Sequence, residues 1–166
     1  IEGIDEIEKI LDELFENNGL KGVIITSNKD NFSAGMDLNV LAHLQDQSKN
    51  KEEIFDLEMR AHKFLRKIEL GGTDNNTKKK AIPFVWACNG LSAGIATEIG
   101  LACHHRIAVD IKNTKIGLPE ILVGLFPGAG GATRVSRMLG LMASAPILME
   151  GKMFSAKKAK TIGLIN

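Results

Sequence analysis

The sequence predicts a single α/β domain in which amphipathic helices alternate with short parallel strands. A helical pattern precedes the β-branched run at residues 20–27, and a second long helical pattern precedes the apolar run at residues 82–88. Short β-branched runs between helices are typical of buried parallel strands. The length of 166 residues fits one domain, and 44% hydrophobic residues are enough to build its core.

Two long helices are predicted in the first half of the chain. Apolar residues recur at helical spacing over residues 4–15, and an Asn-Asn-Gly run at residues 17–19 ends the pattern. Residues 51–70 carry a second amphipathic pattern. Residues 71–80 then lose all periodicity and predict a mobile connector, whose three lysines favour a solvated charge run over a phosphate contact.

The second half of the chain predicts shorter elements. Strands are predicted at residues 82–88, 106–110 and 114–117, and helices at residues 95–103, 130–139, 141–150 and 155–162. In the first of these helices, Ile95, Ile99 and Leu101 are expected to face the core. Ser155 is a suitable N-cap for the last helix.

The balance of charge excludes partners that a strong global field would attract. The 21 Lys and Arg residues oppose 20 Asp and Glu residues, so neither nucleic acid nor a membrane is a predicted partner. No apolar run has the length of a membrane span and no leader pattern opens the chain, so the predicted location is the cytoplasm. Cys88 and Cys103 lack metal-ligand spacing, which predicts buried free thiols and no metal site.

The ends of the chain predict that residues 1–166 are one domain of a longer protein. The chain has no initiator Met, opens directly in a helical pattern, and stops at residues 164–166, where a strand is expected to begin. We therefore interpret the chain as a fragment.

A turn-rich stretch at residues 27–37 is the first candidate ligand-binding segment. It narrows to Ser33, Ala34 and Gly35 before Asp37 and a helical pattern that begins near residue 38. Small residues allow a ligand to approach the backbone closely. A plain strand-to-helix loop with Asp37 as the N-cap is the alternative, and these residues alone do not separate the two.

Glu98 is a candidate catalytic base near the start of a helix. Gly94 precedes a helix that begins near Ile95, whose free backbone N–H groups and positive dipole end suit an anion or a developing oxyanion. Glu98 lies three residues into this helix and could contact the same ligand. A helix-terminus carboxylate without a catalytic role is the alternative.

Glu120 is a candidate partner for Glu98. Pro119 fixes the backbone before it, and the apolar residues 121–126 are expected to surround it with hydrocarbon. Such burial raises the pKa of a carboxyl group because it disfavours the charged form. With Glu98 near backbone dipoles and Glu120 in an apolar wall, the two can hold unlike protonation states, as paired base and acid chemistry requires.

The Gly-rich stretch at residues 127–131 predicts a tight loop that lines a pocket. It lacks both the P-loop ending and the spacing of a dinucleotide-binding turn, so nucleotide binding is not favoured. A serine hydrolase is not favoured either, because Ser92 lies outside a GxSxG motif and the histidines at 104 and 105 have no partner at a recognisable spacing.

Three motifs in order resemble the crotonase (enoyl-CoA hydratase/isomerase) superfamily. They are FSAGMD at residues 32–37, NGLSAGIATE at residues 89–98, and GLPEILVGLFPGAGGATR at residues 117–134. The tail at residues 154–166 also looks like the family, so the resemblance covers nearly the whole chain. The region between the two glutamates, with the RKIELGG connector at residues 66–72, looks most like the hydratase module of a multifunctional fatty-acid β-oxidation α-chain.

The resemblance implies a crotonase-like spiral of repeated ββα units and a site for an acyl-CoA thioester. It also implies that this fragment lacks the first strands and the C-terminal helices of its domain. By motif position, the backbone N–H groups of Met36 and Ile95 would form the oxyanion hole, and Glu98 and Glu120 would be the catalytic pair, with Gly128 beside them. Ionised Glu98 would activate water for attack at C3 of a trans-2-enoyl-CoA while neutral Glu120 protonates C2. Other expected substrate contacts are Ser33, Ala34, Gly35, Asp37, Gly94 and Pro127.

The resemblance also implies partners and cofactors. Coenzyme A would be part of the substrate, and no separate cofactor is expected in this domain. NAD would enter only if a 3-hydroxyacyl-CoA dehydrogenase domain follows in the same chain. Assembly as a homotrimer is the other expected association.

Two alternatives to a hydratase stay open. An enoyl-CoA isomerase usually needs only one of the two carboxylates, whereas a noncatalytic acyl-CoA-binding or assembly module needs neither. Ile95 and Met36 are bulkier than the residues usual in the family, which bears on acyl-chain preference. The 3-hydroxyisobutyryl-CoA hydrolases resemble residues 124–127 but lack a glutamate at the Glu98 position, so retention of both glutamates favours the hydratase.

Overall fold

The computed structural model describes residues 2–39, 51–73 and 80–166, in which helices and strands alternate as the sequence predicts. In chain order, the described elements are α1 (Glu2–Glu16), β1 (Val23–Ile25), α2 (Lys51–Leu70), β2 (Phe84–Cys88), β3 (Leu91–Ala93), α3 (Ile95–Ala102), β4 (His105–Ala108), β5 (Lys115–Gly117), a 3₁₀ helix (Glu120–Val123), α4 (Gly131–Leu139), α5 (Leu141–Leu148) and α6 (Ala156–Thr161). Most of the connector predicted at residues 71–80, and the helical stretch predicted beyond residue 39, lie outside the described residues.

The strands form two parallel sheets that the chain visits alternately. Over the described residues, the first sheet has the order β1-β2-β4, with Val23 beside Phe84. In the second sheet β3 pairs with β5, and Ser33 forms a parallel bridge to Ser92. Each turn of the chain therefore adds one segment to each sheet and then continues into a helix. This arrangement confirms the predicted spiral of ββα units.

The core lies where α2, α3 and α4 cover the inner face of the first sheet. Phe84 and Trp86 of β2 are at most 1% exposed, and they pack in one cluster with Phe64 of α2 and Val135 of α4. Helix α3 lies close to β2 because residue 100 is glycine: a Cβ there would be 2.7 Å from the Trp86 ring. Of the residues predicted to face inward from α3, Leu101 is buried as expected. Ile95 and Ile99 contact the core but are half-buried, whereas the other residues of the helix are buried.

Strand β1 differs from its prediction in length and in burial. The sequence predicts a buried strand over residues 20–27, whereas the strand spans Val23–Ile25 and Ile24 is 70% exposed. Within the described sheet, β1 lies at an edge and Ile24 points away from the core that Val23 and Ile25 contact. The prediction of a parallel strand is therefore confirmed, and the prediction of burial on both faces is wrong.

Two short elements are absent from the sequence-based prediction. Strand β3 has three residues, which is too few for a periodic pattern, and Gly94 ends it at φ 59°. The 3₁₀ helix starts at Glu120 and ends at Gly124, which adopts φ 75°. The later helices agree with the prediction within two residues at each end, and the Ser155 hydroxyl caps α6 by accepting the Lys158 N–H at 3.3 Å.

Cys88 and Cys103 are both free and buried, as predicted, and burial raises the pKa of each thiol to about 12. Across the described ranges, no group of three or more His, Cys, Asp and Glu side chains could hold a metal ion. None of the described helices is both long and apolar enough to cross a membrane.

Candidate active site

The loop at residues 33–36 packs against β3. Ser33 donates its N–H to the Leu91 carbonyl oxygen at 3.0 Å and accepts the Ala93 N–H at 3.1 Å. Gly35 adopts φ 94° and lies so close to Ala93 that a Cβ would be 2.8 Å from its carbonyl oxygen. Both the backbone angle and this contact require glycine. The FSAGMD and NGLSAGIATE motifs, about sixty residues apart in sequence, are thereby brought together.

A cavity of about 610 Å³ lies between this loop, α2, α3 and the 3₁₀ helix. Most residues that the sequence assigns to the site line it, namely Ala34, Gly35, Met36, Gly94, Ile95, Glu98, Glu120 and Gly128. The structure therefore collects residues from three separate motifs around one space large enough for a small organic ligand.

Ser33, Asp37 and Pro127 are expected substrate contacts that do not line the cavity. The Ser33 hydroxyl accepts the Gly35 N–H at 3.1 Å, and Asp37 Oδ1 accepts the Asn39 N–H at 2.8 Å. These two side chains bond to the loop backbone, which for Asp37 agrees with the N-cap alternative. Pro127 is buried beside Gly128.

Glu98 lies on α3 and is 3% exposed. Its Oε1 accepts the N–H of Gly131, the first residue of α4, at 2.7 Å. Burial raises the pKa of Glu98 to about 7, and the charge of Glu120 adds to this rise, while the Gly131 N–H and Arg134 oppose it. Glu98 lies in the first turn of α3, where the sequence places it, and it lines the same cavity as Ile95. The sequence analysis does not identify the second contact of this carboxylate, which is with the N-terminus of α4.

Glu120 opens the 3₁₀ helix and its carboxylate lies beside Gly94. A Cβ at Gly94 would be 3.3 Å from Glu120 Oε1, so the Glu120 carboxylate also lies near the start of α3, whose first turn carries Glu98. Glu120 Oε2 is buried, and no described residue hydrogen-bonds to it. Burial raises the pKa of Glu120, as predicted. The apolar residues that follow it and line the same cavity are Leu122, Val123, Leu125 and Phe126.

The backbone amides of Met36 and Ile95 are available to a ligand. In the described part of the chain, neither N–H donates to a protein acceptor. The Gly94 carbonyl oxygen accepts instead from the next amides of α3, those of Thr97 and Glu98. Two unsatisfied amide donors at a cavity that also holds two carboxyl groups suit a ligand with a polarised carbonyl group.

Helix α2 contributes residues that the sequence analysis does not assign to the site. Ile54, Leu57 and Ala61 form an apolar wall, and Glu58 adds a third carboxylate to the lining. Glu58 Oε1 lies 2.7 Å from the position that a Cβ would take on Gly128. Helical spacing places these four residues on one face, but only the packed structure shows that this face meets the cavity.

Two curated proteins are similar to this chain in sequence. Fatty acid oxidation complex subunit alpha from Shewanella frigidimarina and the same subunit from Shewanella loihica are each 35% identical to this chain over 162 residues. Each match covers 97% of this chain and 21% of the relative, so the chain spans about a fifth of the length of these curated relatives.

Solved structures share the fold. The enoyl-CoA hydratase from Bacillus anthracis superposes with a TM-score of 0.80 and 29% identity, covering 98% of this chain and 57% of that one. A second structure, from Geobacillus kaustophilus, superposes with a TM-score of 0.82 and 26% identity. The match covers 99% of this chain and 57% of that one. These matches confirm the predicted α/β crotonase fold. The family model for enoyl-CoA hydratase/isomerase matches residues 2–166, and the chain belongs to that family.

Proposed function

We propose that the protein containing this chain is an enoyl-CoA hydratase, which adds water to a trans-2-enoyl-CoA to give a 3-hydroxyacyl-CoA in fatty-acid β-oxidation. The observation that carries this proposal is a pair of buried carboxyl groups with different bonding at one cavity. Glu98 accepts a backbone N–H of Gly131, whereas Glu120 keeps a buried oxygen that no described residue bonds. Such a pair suits a base and an acid that act on one substrate.

In the proposed reaction, the thioester carbonyl accepts hydrogen bonds from the N–H groups of Met36 and Ile95. Water adds to C3 and gives its proton to ionised Glu98, while neutral Glu120 gives its proton to C2. A base whose pKa is near 7 is partly ionised at neutral pH and still accepts a proton readily. Loss of one oxyanion donor in other enzymes costs roughly a hundredfold or more in rate.

The names of the Shewanella relatives support a place in fatty-acid oxidation. Because this chain spans about a fifth of those relatives, we propose that the full protein also carries a 3-hydroxyacyl-CoA dehydrogenase domain that uses NAD. For the present domain we propose acyl-CoA as the substrate, with no metal or separate cofactor. A homotrimer and a cytoplasmic location stay predictions.

Hydration of crotonyl-CoA, followed as loss of the enoyl-thioester absorbance, tests the reaction in the complete protein. Glu98→Gln and Glu120→Gln are each expected to slow turnover by roughly 10² to 10⁴, because each removes one of the two proton transfers. Glu6→Gln is the matched control, since Glu6 is exposed on α1 and does not line the cavity. It is expected to keep the wild-type rate.

The other outcomes separate the alternative functions. Equal hydration rates in all three variants would contradict the two-carboxylate mechanism. An isomerase would convert a 3-enoyl-CoA to the 2-enoyl-CoA, and this activity would persist when one of the two glutamates is replaced. Binding of acyl-CoA without turnover of either substrate would indicate a noncatalytic module.

A further inference from the structure

We infer that Arg134 is a positioning residue for Glu98: its guanidinium fixes the turn at residues 129–131 that holds the carboxylate and places a positive charge near it. The inference deepens the proposed hydratase function and rests on it for its effect on catalysis. Its effect on the Glu98 carboxyl group can be measured without any substrate.

The guanidinium of Arg134 is nearly buried and held from two sides. Its side chain is 12% exposed. Nη1 donates to the Ala129 carbonyl oxygen at 3.0 Å, and Nη2 lies 3.4 Å from Glu69 Oε2 on α2. Nε is buried and bonds to no described residue. Because a buried cation is costly unless it is paired, these two contacts determine where the charge of Arg134 lies.

The same turn carries the hydrogen bond to Glu98. The Ala129 carbonyl held by Arg134 comes two residues before the amide of Gly131, which donates to Glu98 Oε1 at 2.7 Å. The intervening Gly130 has φ 94° and accepts the backbone N–H of Arg134 at 3.0 Å. A displacement of the turn would therefore move the donor that Glu98 depends on.

The fit between the turn and Glu98 leaves little room for such a displacement. A Cβ on Gly131 would be 2.7 Å from Glu98 Oε1 and 2.8 Å from its Cγ. The turn and the glutamate are in direct contact, so the position of one fixes the position of the other.

Arg134 also supplies positive charge where burial opposes ionisation. Burial and the charge of Glu120 raise the pKa of Glu98, whereas Arg134 lowers it. Among the other charged or titratable groups on neighbouring elements, Glu58 and His62 of α2 lie beside Gly128 and Gly130, and Arg106 of β4 bonds to the carbonyl groups of Cys103 and Leu164. Removal of Arg134 therefore takes away the positive charge that lowers the pKa of Glu98 and leaves the charge of Glu120, which raises it.

The pH dependence of kcat/KM in the complete protein tests the inference. Arg134→Gln is expected to shift the acidic limb, on which Glu98 ionises, to higher pH by about 0.5 to 1 unit. On that limb kcat/KM is therefore about three- to tenfold lower than in wild type, and this difference disappears at high pH. Arg134→Lys is expected to shift the limb in the same direction by less. Lysine keeps the charge but is a point donor that cannot reach both Ala129 and Glu69.

Glu69→Gln is the matched control because it removes the carboxylate that pairs with Arg134 and with Arg66, and leaves the Arg134 cation bonded to the Ala129 carbonyl oxygen. Its acidic limb is expected to stay where it is or to move slightly to lower pH. If instead Arg134→Gln and Arg134→Lys lower activity by the same factor at every pH, Arg134 is merely structural and the inference is overturned. Should Arg134→Gln fail to fold, Arg134→Lys decides between these outcomes.

Titration of ¹³C-labelled glutamate by NMR, with Glu98→Gln used for assignment, provides a readout that needs no substrate. The Glu98 resonance is expected to titrate at higher pH in Arg134→Gln than in wild type. An unchanged titration overturns the inference even if the protein is a hydratase. A shifted titration in a protein without hydratase activity supports the role of Arg134 and contradicts only the proposed hydratase function.

Discussion

Glu98 links stability to function through one buried carboxyl group. Burial raises its pKa from an ordinary 4.5 to about 7, although a backbone N–H and Arg134 favour the charged form. Between these two pH values the folded protein holds a proton that the unfolded chain releases. The stability contributed by this group is therefore fully present below about pH 4.5 and is lost as the pH rises through 7.

Glu98→Gln is expected to stabilise the fold at about pH 8 and to change it little near pH 4.5. Glutamine keeps an oxygen that can accept the Gly131 N–H, and it cannot ionise in the buried site. Each unit of pKa shift corresponds to about 1.4 kcal/mol, so the gain at pH 8 is at most about 3.5 kcal/mol. Urea unfolding of both proteins at the two pH values measures it.

Glu6→Gln serves as the control for this comparison, since its side chain lies in solvent on α1. The difference in free energy of unfolding between Glu6→Gln and wild type should be the same at both pH values. If Glu98→Gln also shows no change in this difference between pH 4.5 and 8, the pKa of Glu98 is not raised in the folded protein.

Close approach between helix α3 and strand β2 depends on one glycine. At Gly100 a Cβ would be 2.7 Å from one carbon of the Trp86 ring and 2.9 Å from another, and both residues are buried. The aromatic ring is wedged between the helix and the rest of the core, so it cannot rotate away cheaply. The position of α3 also fixes Glu98 and the Ile95 amide at the cavity.

Gly100→Ala is expected to destabilise the fold by about 1 to 3 kcal/mol, the usual cost of one extra methyl group in a filled core. Gly3→Ala makes the same chemical change on α1, where nothing lies within 4 Å of the new Cβ. There the change should be neutral or stabilising by up to about 1 kcal/mol. Thermal unfolding measures both, and equal effects at the two sites would contradict the packing of α3 on β2.

Elements could be predicted from sequence where their pattern is long. Helix α2 spans the predicted residues 51–70, because twenty residues repeat the helical period many times. Strand β3 and the 3₁₀ helix have three and four residues and show no period at all. Which carboxylate meets which helix end depends on how separate turns of the spiral stack, and local spacing does not contain that information. For this reason the sequence analysis found both glutamates but did not identify the Gly131 N–H as a partner of Glu98 or the approach of Glu120 to Gly94.

At the scale of the whole domain, residues 164–166 bond to the first sheet and pack against its core. Asn166 donates its backbone N–H to the Arg106 carbonyl oxygen at 2.9 Å, and its Oδ1 accepts the Arg106 N–H at 2.8 Å. Leu164, two residues earlier, is 1% exposed within the same core as Trp86 of β2. The order of three sequence motifs predicted the fold that encloses this core. It did not predict the contacts between residues 164–166 and the first sheet, which form only when distant segments meet.

Leu164→Ala is expected to lower the stability of the whole 166-residue chain by about 2 to 5 kcal/mol, because it leaves a cavity in a shared core. For a chain of this length that corresponds to roughly 5 to 15 °C in Tm. Leu141→Ala is the matched control: Leu141 is 79% exposed on α5, so its loss should cost no more than about 0.5 kcal/mol.

Two spectroscopic probes reveal whether residues 164–166 and the first sheet unfold cooperatively. Trp86 is the only tryptophan, so its fluorescence reports on the first sheet, while far-UV circular dichroism reports on all helices. If residues 164–166 stabilise the fold as one unit, both transitions move down together in Leu164→Ala. A circular-dichroism transition that falls while Trp86 fluorescence keeps its midpoint would show that the end of the chain unfolds independently of the sheet that carries the site.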